Sequence, residues 1–214
     1  MNIQDLAPFK NIDPKFIELI VKNSEFLKYK IGQPIIPPKT IPSKIMLLCE
    51  GNARLLGIQD EKRVTIGKLG IGSFLGISSL LTANGCEEIN ASDEVKVIAI
   101  DDELIINMYT KEKSFSNYCD NNIFPGEILY ISNYLINLSP RSDLNLKEVF
   151  NTISNSSKFT TIQNNHEIEV EKDFLSYVLS ANIYEKQIGD VIHSKSKLEI
   201  RDPFKGRILK INKN

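Results

Sequence analysis

Between Phe26 and Ile100 the chain is punctuated so often that it has room for strands and hardly any for helices. Pro34, Pro37, Pro38 and Pro42 remove backbone donors and fix φ, which bars a helix until they end. Beyond them the apolar runs are short, at 44–49, 52–58, 62–66, 87–91 and 94–100, and the last is β-branched enough to favour a strand. Glu50-Gly51 reads as a tight hairpin turn with the glycine supplying a positive φ, and 62–66 is expected to pair with 52–58 across Gln59-Asp60-Glu61. One interruption breaks the series. Gly70, Gly72 and Gly76 crowd a turn, and Ile77-Ser78-Ser79-Leu80-Leu81 follows as a short apolar helix.

Helical signals lie on either side. Asp13 as N-cap and Pro14 at the first helical position open a helix carrying Phe16, Ile17, Ile20 and Val21, after which 26–30 reads as a strand. Asp101-Asp102 starts another through Leu104, Ile105 and Met108, with helical signal continuing to Phe115, Tyr118 and Cys119. Over 126–138, Ile128, Leu129, Ile131, Tyr134, Leu135 and Leu138 make an amphipathic stripe, to be packed on its own barrel or against a second copy. Pro140, within Ser139 to Asp143, ends it and sets a boundary between residues 1–140 and 141–214. The continuation is expected to hold a helix over 144–153, a Ser/Asn/Thr-rich loop over 154–165 and four or five strands. Such a segment has a core too small to stand alone, so it leans on the first piece or continues into sequence beyond residue 214. The expected fold class is mainly β with flanking helices: about eight short strands interrupted by one helix, plus a small, mainly β continuation.

Several functions are excluded by composition and spacing. A net charge of -1 offers no electrostatic pull toward nucleic acid or an acidic membrane, and residues 141–214 hold 12 Lys/Arg against 10 Asp/Glu. Cys49, Cys86 and Cys119 are odd in number and far apart, which suits small buried hydrophobes in a reduced compartment. Neither a leader nor an apolar span is present, so a cytoplasmic chain with no membrane insertion is expected. His166 and His193 lack ligand spacing, so neither metal nor other cofactor is expected. Gly70, Gly72 and Gly76 sit in no βαβ unit, Ser78 and Ser79 lack a nucleophile elbow, and no P-loop occurs. The chain is not expected to be an enzyme.

What remains is the glycine turn. A turn running into a helix start can surround an anion with backbone N–H groups, and the candidate contacts are Gly72, Phe74, Leu75, Gly76, Ile77, Ser78 and Ser79. Nothing charged lies between Lys68 and Glu87, so a phosphate held there lacks a cation and a ribose lacks a carboxylate. Arg54 and Arg63 read as solvated strand positions, and Glu87 and Glu88 as a rim exposed to water.

Helix, strand, Gly32, the turn at Glu50-Gly51 and the glycine turn before two closing strands and a helix together resemble the cyclic-nucleotide-binding domain over about residues 5–138. That resemblance implies an eight-stranded β-roll flanked by helices, in which the helix over 126–138 relays the state of the turn. The family's cassette reads Phe-Gly-Glu, a short helix, then Arg-Ala-Ala and Ser or Thr, with the glutamate on the ribose and the arginine on the cyclic phosphate. Here Phe74 and Gly76 flank Leu75, Ile77 stands in the place of the glutamate, and Asn84-Gly85-Cys86-Glu87 in that of the arginine. The resemblance therefore implies a degenerate pocket that does not take cyclic nucleotide; any remaining ligand is less anionic and touches the backbone N–H groups of residues 74–78.

Residues 72–81, Cys86-Glu87, Ala91-Ser92 and 97–100, with 174–181, 187–192 and 207–209 further on, look like the degenerate N-terminal module of bacteriocin or toxin exporters. In those proteins a cysteine peptidase, a transmembrane domain and an ATP-binding cassette follow. This implies a non-enzymatic regulatory or assembly module of a peptide-exporting ABC transporter, partnered by downstream transporter domains or by a second copy through residues 126–138. The competing readings are a transcription regulator of the catabolite-activator type and a true cyclic-nucleotide sensor.

Overall fold

The computed structural model describes residues 3–141 and 143–213. Helix α1 (Pro14–Asn23) starts where Asp13 accepts a hydrogen bond from the Lys15 N–H at 2.9 Å. Strands β1 (Glu25–Tyr29), β2 (Pro34–Ile36), β3 (Lys44–Glu50), β4 (Ala53–Gln59), β5 (Lys62–Leu69) and β6 (Phe74–Leu75) lead to the short helix α2 (Ile77–Leu81). Strands β7 (Ile89–Ala91) and β8 (Val95–Asp101) follow, then helices α3 (Asp102–Lys111), α4 (Lys113–Asn121) and α5 (Pro125–Leu138).

These strands form two four-stranded antiparallel sheets, ordered β1-β8-β3-β6 and β2-β7-β4-β5. Among consecutive strands only β4 and β5 pair, and the interleaved order is that of a jelly-roll-like β-roll. The expected fold class, mainly β with flanking helices, is what the structure shows.

The turn at Glu50-Gly51 is a correction. Gly51 does take a positive φ of 80°, but β3 and β4 belong to opposite sheets, so the turn is a corner and not a hairpin. Asp93 pins the corner, accepting from the backbone N–H of Asn52 at 2.7 Å and from its side-chain amide at 2.9 Å. Strand β3 is apolar on both faces, so it needs a central place between β8 and β6 with cover on either side. Ile45 and Leu47, with Ile98 and Ile100 of β8, pack under α1, α3 and α4 against Ile20, Ile105 and Phe115. The alternate residues Met46, Leu48, Val97 and Ala99 point into the roll.

The continuation comprises α6 (Leu146–Ser156), β9 (Lys158–Ile162), β10 (Glu167–Ile168), β11 (Phe174–Val178), β12 (Val191–Ile192), β13 (Ser196–Lys197) and β14 (Gly206–Asn212). Its main sheet is ordered β12-β11-β14-β9, with β10 and β13 as a separate pair. The loop expected over 154–165 is therefore partly wrong: α6 runs to Ser156, and β9 pairs with β14. Locally that stretch reads as polar; Phe159 opposite Leu209 and Thr160 opposite Ile208 make it a strand. The continuation does lean on the roll. Tyr177, Leu179 and Leu209 share one core with Leu48, Val97, Ile128 and Ile131, while Ile162, Val178, Ile192 and Ile208 make a smaller core of their own. The buried residues Ile128, Leu129 and Ile131 of the α5 stripe are thus covered within the chain.

Candidate functional site

The glycine turn is where the sequence directs attention, and its residues divide. Gly76, at φ 92°, takes the left-handed conformation that lets β6 turn directly into α2. Phe74 goes to the core, its ring centroid 5.5 Å from that of Phe9 and 6.1 Å from that of Phe115. Leu75 and Ile77 are fully buried in the two apolar clusters, and the Gly72 N–H is used by the carbonyl of Leu48 at 2.8 Å. Of the seven candidates, Gly76, Ser78 and Ser79 surround the start of α2; the other four build the turn and the core.

That start is occupied from within the chain. The Ser79 backbone N–H donates to Glu87 Oε2 at 3.1 Å, and the Ser79 hydroxyl donates to the same oxygen at 3.2 Å. Ser79 Oγ in turn accepts from the Cys86 N–H at 3.2 Å, which fixes the return of the chain after α2. Glu87 is only 4% exposed, which corrects the expectation of a rim position. Helix-start donors with no charged side chain between Lys68 and Glu87 leave a vacancy, and the first acid after α2 folds back into it. Burial raises the Glu87 carboxyl to about 7, opposed chiefly by the hydrogen bond from the Ser79 N–H. Glu88 is also buried, and Arg63 Nε reaches it at 2.5 Å, so Arg63 is committed to a carboxylate at the mouth of the roll.

Helix α5 rests directly on this arrangement. A Cβ on Gly126 would lie 2.4 Å from Glu87 Cγ and 2.8 Å from Ser78 Oγ, so only glycine allows the first turn of α5 so close. The next residue, Glu127, accepts from the Phe124 N–H at 2.8 Å, capping the helix. Its carboxylate is also held from the C-terminal sheet. Arg207 of β14, its side chain 2% exposed, donates through Nε to Glu127 Oε1 and through Nη2 to Glu127 Oε2 at 2.9 Å. The same guanidinium donates to the Cys119 carbonyl at 3.0 Å and the Asn122 carbonyl at 2.8 Å, and its centre lies 4.5 Å from the Phe159 ring centroid. Sequence reasoning missed this pair. Its local signals are an acid at the third position of a helix that opens with proline, and a lone arginine inside an apolar strand.

Between α5 and β4 runs a groove of about 480 Å³, lined by Leu56, Gly57, Tyr130, Asn133 and Tyr134, with Glu87 and Glu88 in its wall and Lys39 at its edge. A ligand entering it meets carboxylates where the resemblance would place an arginine. Among the described residues, no group of three or more His, Cys, Asp or Glu is placed to hold a metal ion, and no helix is long and apolar enough to cross a membrane.

No family model matches the sequence, and no curated protein matches it. Among solved structures, the chain is similar to a cyclic nucleotide-binding-like protein from Brucella abortus, at 22% identity over 50% of this chain and 92% of that one, with a TM-score of 0.43. The regulatory domain of Toxoplasma gondii PKA, crystallised with cAMP, aligns over 98% of this chain and 86% of its own at 9% identity and a TM-score of 0.48. The catabolite activator protein of Thermus thermophilus aligns over 68% and 80% at 17% identity and a TM-score of 0.45. With every score below 0.5, the β-roll is identified by its strand order and register.

Proposed function

We propose that the chain is a non-enzymatic regulatory or assembly module built on a cyclic-nucleotide-binding-type roll whose phosphate seat is filled by its own Glu87. The observation that carries this is the pair of hydrogen bonds from the Ser79 N–H and hydroxyl to the Glu87 carboxylate. A cyclic phosphate would have to displace that buried carboxyl, and it would find neither arginine nor ribose-binding glutamate, since Asn84-Gly85-Cys86-Glu87 and Ile77 hold the corresponding places. Each missing charge-assisted contact is worth about 1.5–3 kcal/mol, so their joint loss weakens binding by about two to four powers of ten. The sequence likeness over 72–100 and 174–209 supports a place in, or kinship with, the cytoplasmic N-terminal part of a bacterial peptide-exporting ABC transporter, with downstream transporter domains as partners. Nucleic acid is not a partner in this reading: beyond α6 the regular structure of the continuation is sheet, and the apolar face of α6 is buried through Leu146, Phe150 and Ile153.

Calorimetric titration of the full chain with cyclic AMP and cyclic GMP tests the pocket. The expected result is no saturable heat up to about 1 mM, whereas micromolar binding of either nucleotide would overturn the reading.

A further inference from the structure

Ligand-driven modules of this architecture need an element that moves, and here α5 is the one seated on the cassette. Its position, however, is set from a different direction. Four contacts tie α4, α5 and the cassette to the C-terminal unit. Arg207 grips Glu127 in the first turn of α5. The same guanidinium takes up two carbonyls at the end of α4, those of Cys119 and Asn122, which have no helical donor beyond them. The Ala181 N–H donates to the Thr82 carbonyl at the end of α2 at 2.8 Å. Farther along α5, Gly189 lies under the Tyr134 ring so closely that a Cβ there would be 2.5–2.6 Å from three ring carbons. A second polar link runs in parallel: the Tyr109 hydroxyl donates to Asp120 at 2.7 Å, and Lys205 Nζ pairs with the other Asp120 oxygen at 2.7 Å.

We propose that the C-terminal sheet is an internal lock that holds α5 on the cassette through Arg207, which ties Glu127 of α5 to the Cys119 and Asn122 carbonyls of α4, and that α5 and the C-terminal unit detach together while the roll stays folded. The roll has its own ladder, in which β3 pairs with both β8 and β6, and its outer core under α1, α3 and α4 is made almost wholly of residues before 125. The C-terminal unit has only a small core of its own, so what it loses on detaching is chiefly the shared apolar cluster and the polar links above. Arg207 is a positioning residue in this scheme. Detachment parts Ile128, Leu129 and Ile131 of α5 from Leu48 and Val97 of the roll, so the lock decides whether that side of the apolar face is available. The lock stands on these contacts and not on the pocket, so cyclic-nucleotide binding would refute the pocket reading and leave the lock intact.

Amide hydrogen exchange of the full chain through a urea series below its unfolding transition is the test. The lock requires that amides of α5, β11 and β14 share one opening reaction, at lower urea than amides of β3 and β8. In Arg207→Met, the first set is expected to exchange at least about a hundredfold faster and still to open at lower urea than β3 and β8, whose amides exchange only when the whole chain unfolds. Opening of α5 together with β3 and β8 would overturn the lock, as would unchanged exchange of α5 in Arg207→Met. Should that variant fail to fold, the urea series on the unaltered chain decides alone, and Arg207→Lys, which keeps the charge and loses the fork, gives a milder second variant.

Discussion

Replacing Glu87 with Gln is expected to flatten the pH dependence of stability. Glu87 lies buried at the start of α2, and burial raises its carboxyl from 4.5 to about 7. Between those values the folded chain holds a proton on Glu87 that the unfolded chain has released. A state that binds more protons is favoured by acid, so stability from this group falls as pH rises from about 4.5 to about 7 and is level outside that window. At about 1.4 kcal/mol per pH unit, the full span corresponds to about 3 kcal/mol. The interval from pH 5 to pH 8 carries about 2.5 kcal/mol of it.

Gln keeps the shape and an acceptor for the Ser79 N–H, and it cannot ionise. Other groups of the chain titrate too, and the difference between variant and parent removes them. Burial pushes the thiol of the adjacent Cys86 well above its ordinary value, so it stays neutral across this range. Urea unfolding followed by circular dichroism at intervals from pH 5 to pH 8 measures both proteins. The stability of Glu87→Gln relative to the parent is expected to rise by about 2.5 kcal/mol across the series. A difference that stays constant with pH, or that shrinks toward pH 8, would refute the placement of Glu87 as a buried carboxyl in the cassette.

Two further substitutions test the packing. Arg207→Met leaves the Glu127 carboxylate buried without its partner and is expected to cost about 3–5 kcal/mol by urea unfolding at pH 7; adding Glu127→Gln, which keeps the cap on the Phe124 N–H, should recover much of that loss. Asn145→Ala removes the side-chain oxygen that accepts from the N–H groups of Lys147 and Glu148 at 3.0 and 3.1 Å, so a loss of about 1 kcal/mol is expected in the same assay.

The strands and helices of the roll are legible because each leaves a local mark. Asp13-Pro14 announces α1, the Asp60-Glu61 turn joins β4 to β5, and the β-branched Val95, Val97, Ile98 and Ile100 mark β8. The corner at Gly51 is misread because hairpins and sheet-to-sheet corners use the same glycine conformation; only the partner of β3, 46 to 57 residues away in β8, tells them apart. Strand β9 is hidden for the related reason that its pairing with β14 is entirely long-range. At the site, the glycine turn and its missing charges are visible in the order of residues. The fate of Glu87 is not, because two consecutive acids look like a solvated rim until the donors of α2 are seen to lie within reach of one of them.

Glu87 and Glu127 approach Gly126 from two sides, and a single guanidinium serves that corner. Arg207 cannot be shared, since the carbonyls of Cys119 and Asn122 and the faces of Phe159 and Phe124 hold it on the side of Glu127. Glu87 is left with the neutral donors of Ser79, the positive end of α5 above it, and a proton. Protonated, it makes the seat of α5 electrically neutral in company with the Arg207–Glu127 pair; ionised, it adds a buried charge directly beneath the helix that the C-terminal sheet holds down. The degenerate pocket and the lock therefore meet at one contact, the glycine that brings α5 onto Glu87. Arg207→Met and a rise in pH both act on the seat of α5, one by releasing the bolt and the other by charging what lies under it, and their effects on α5 exchange are expected to reinforce each other.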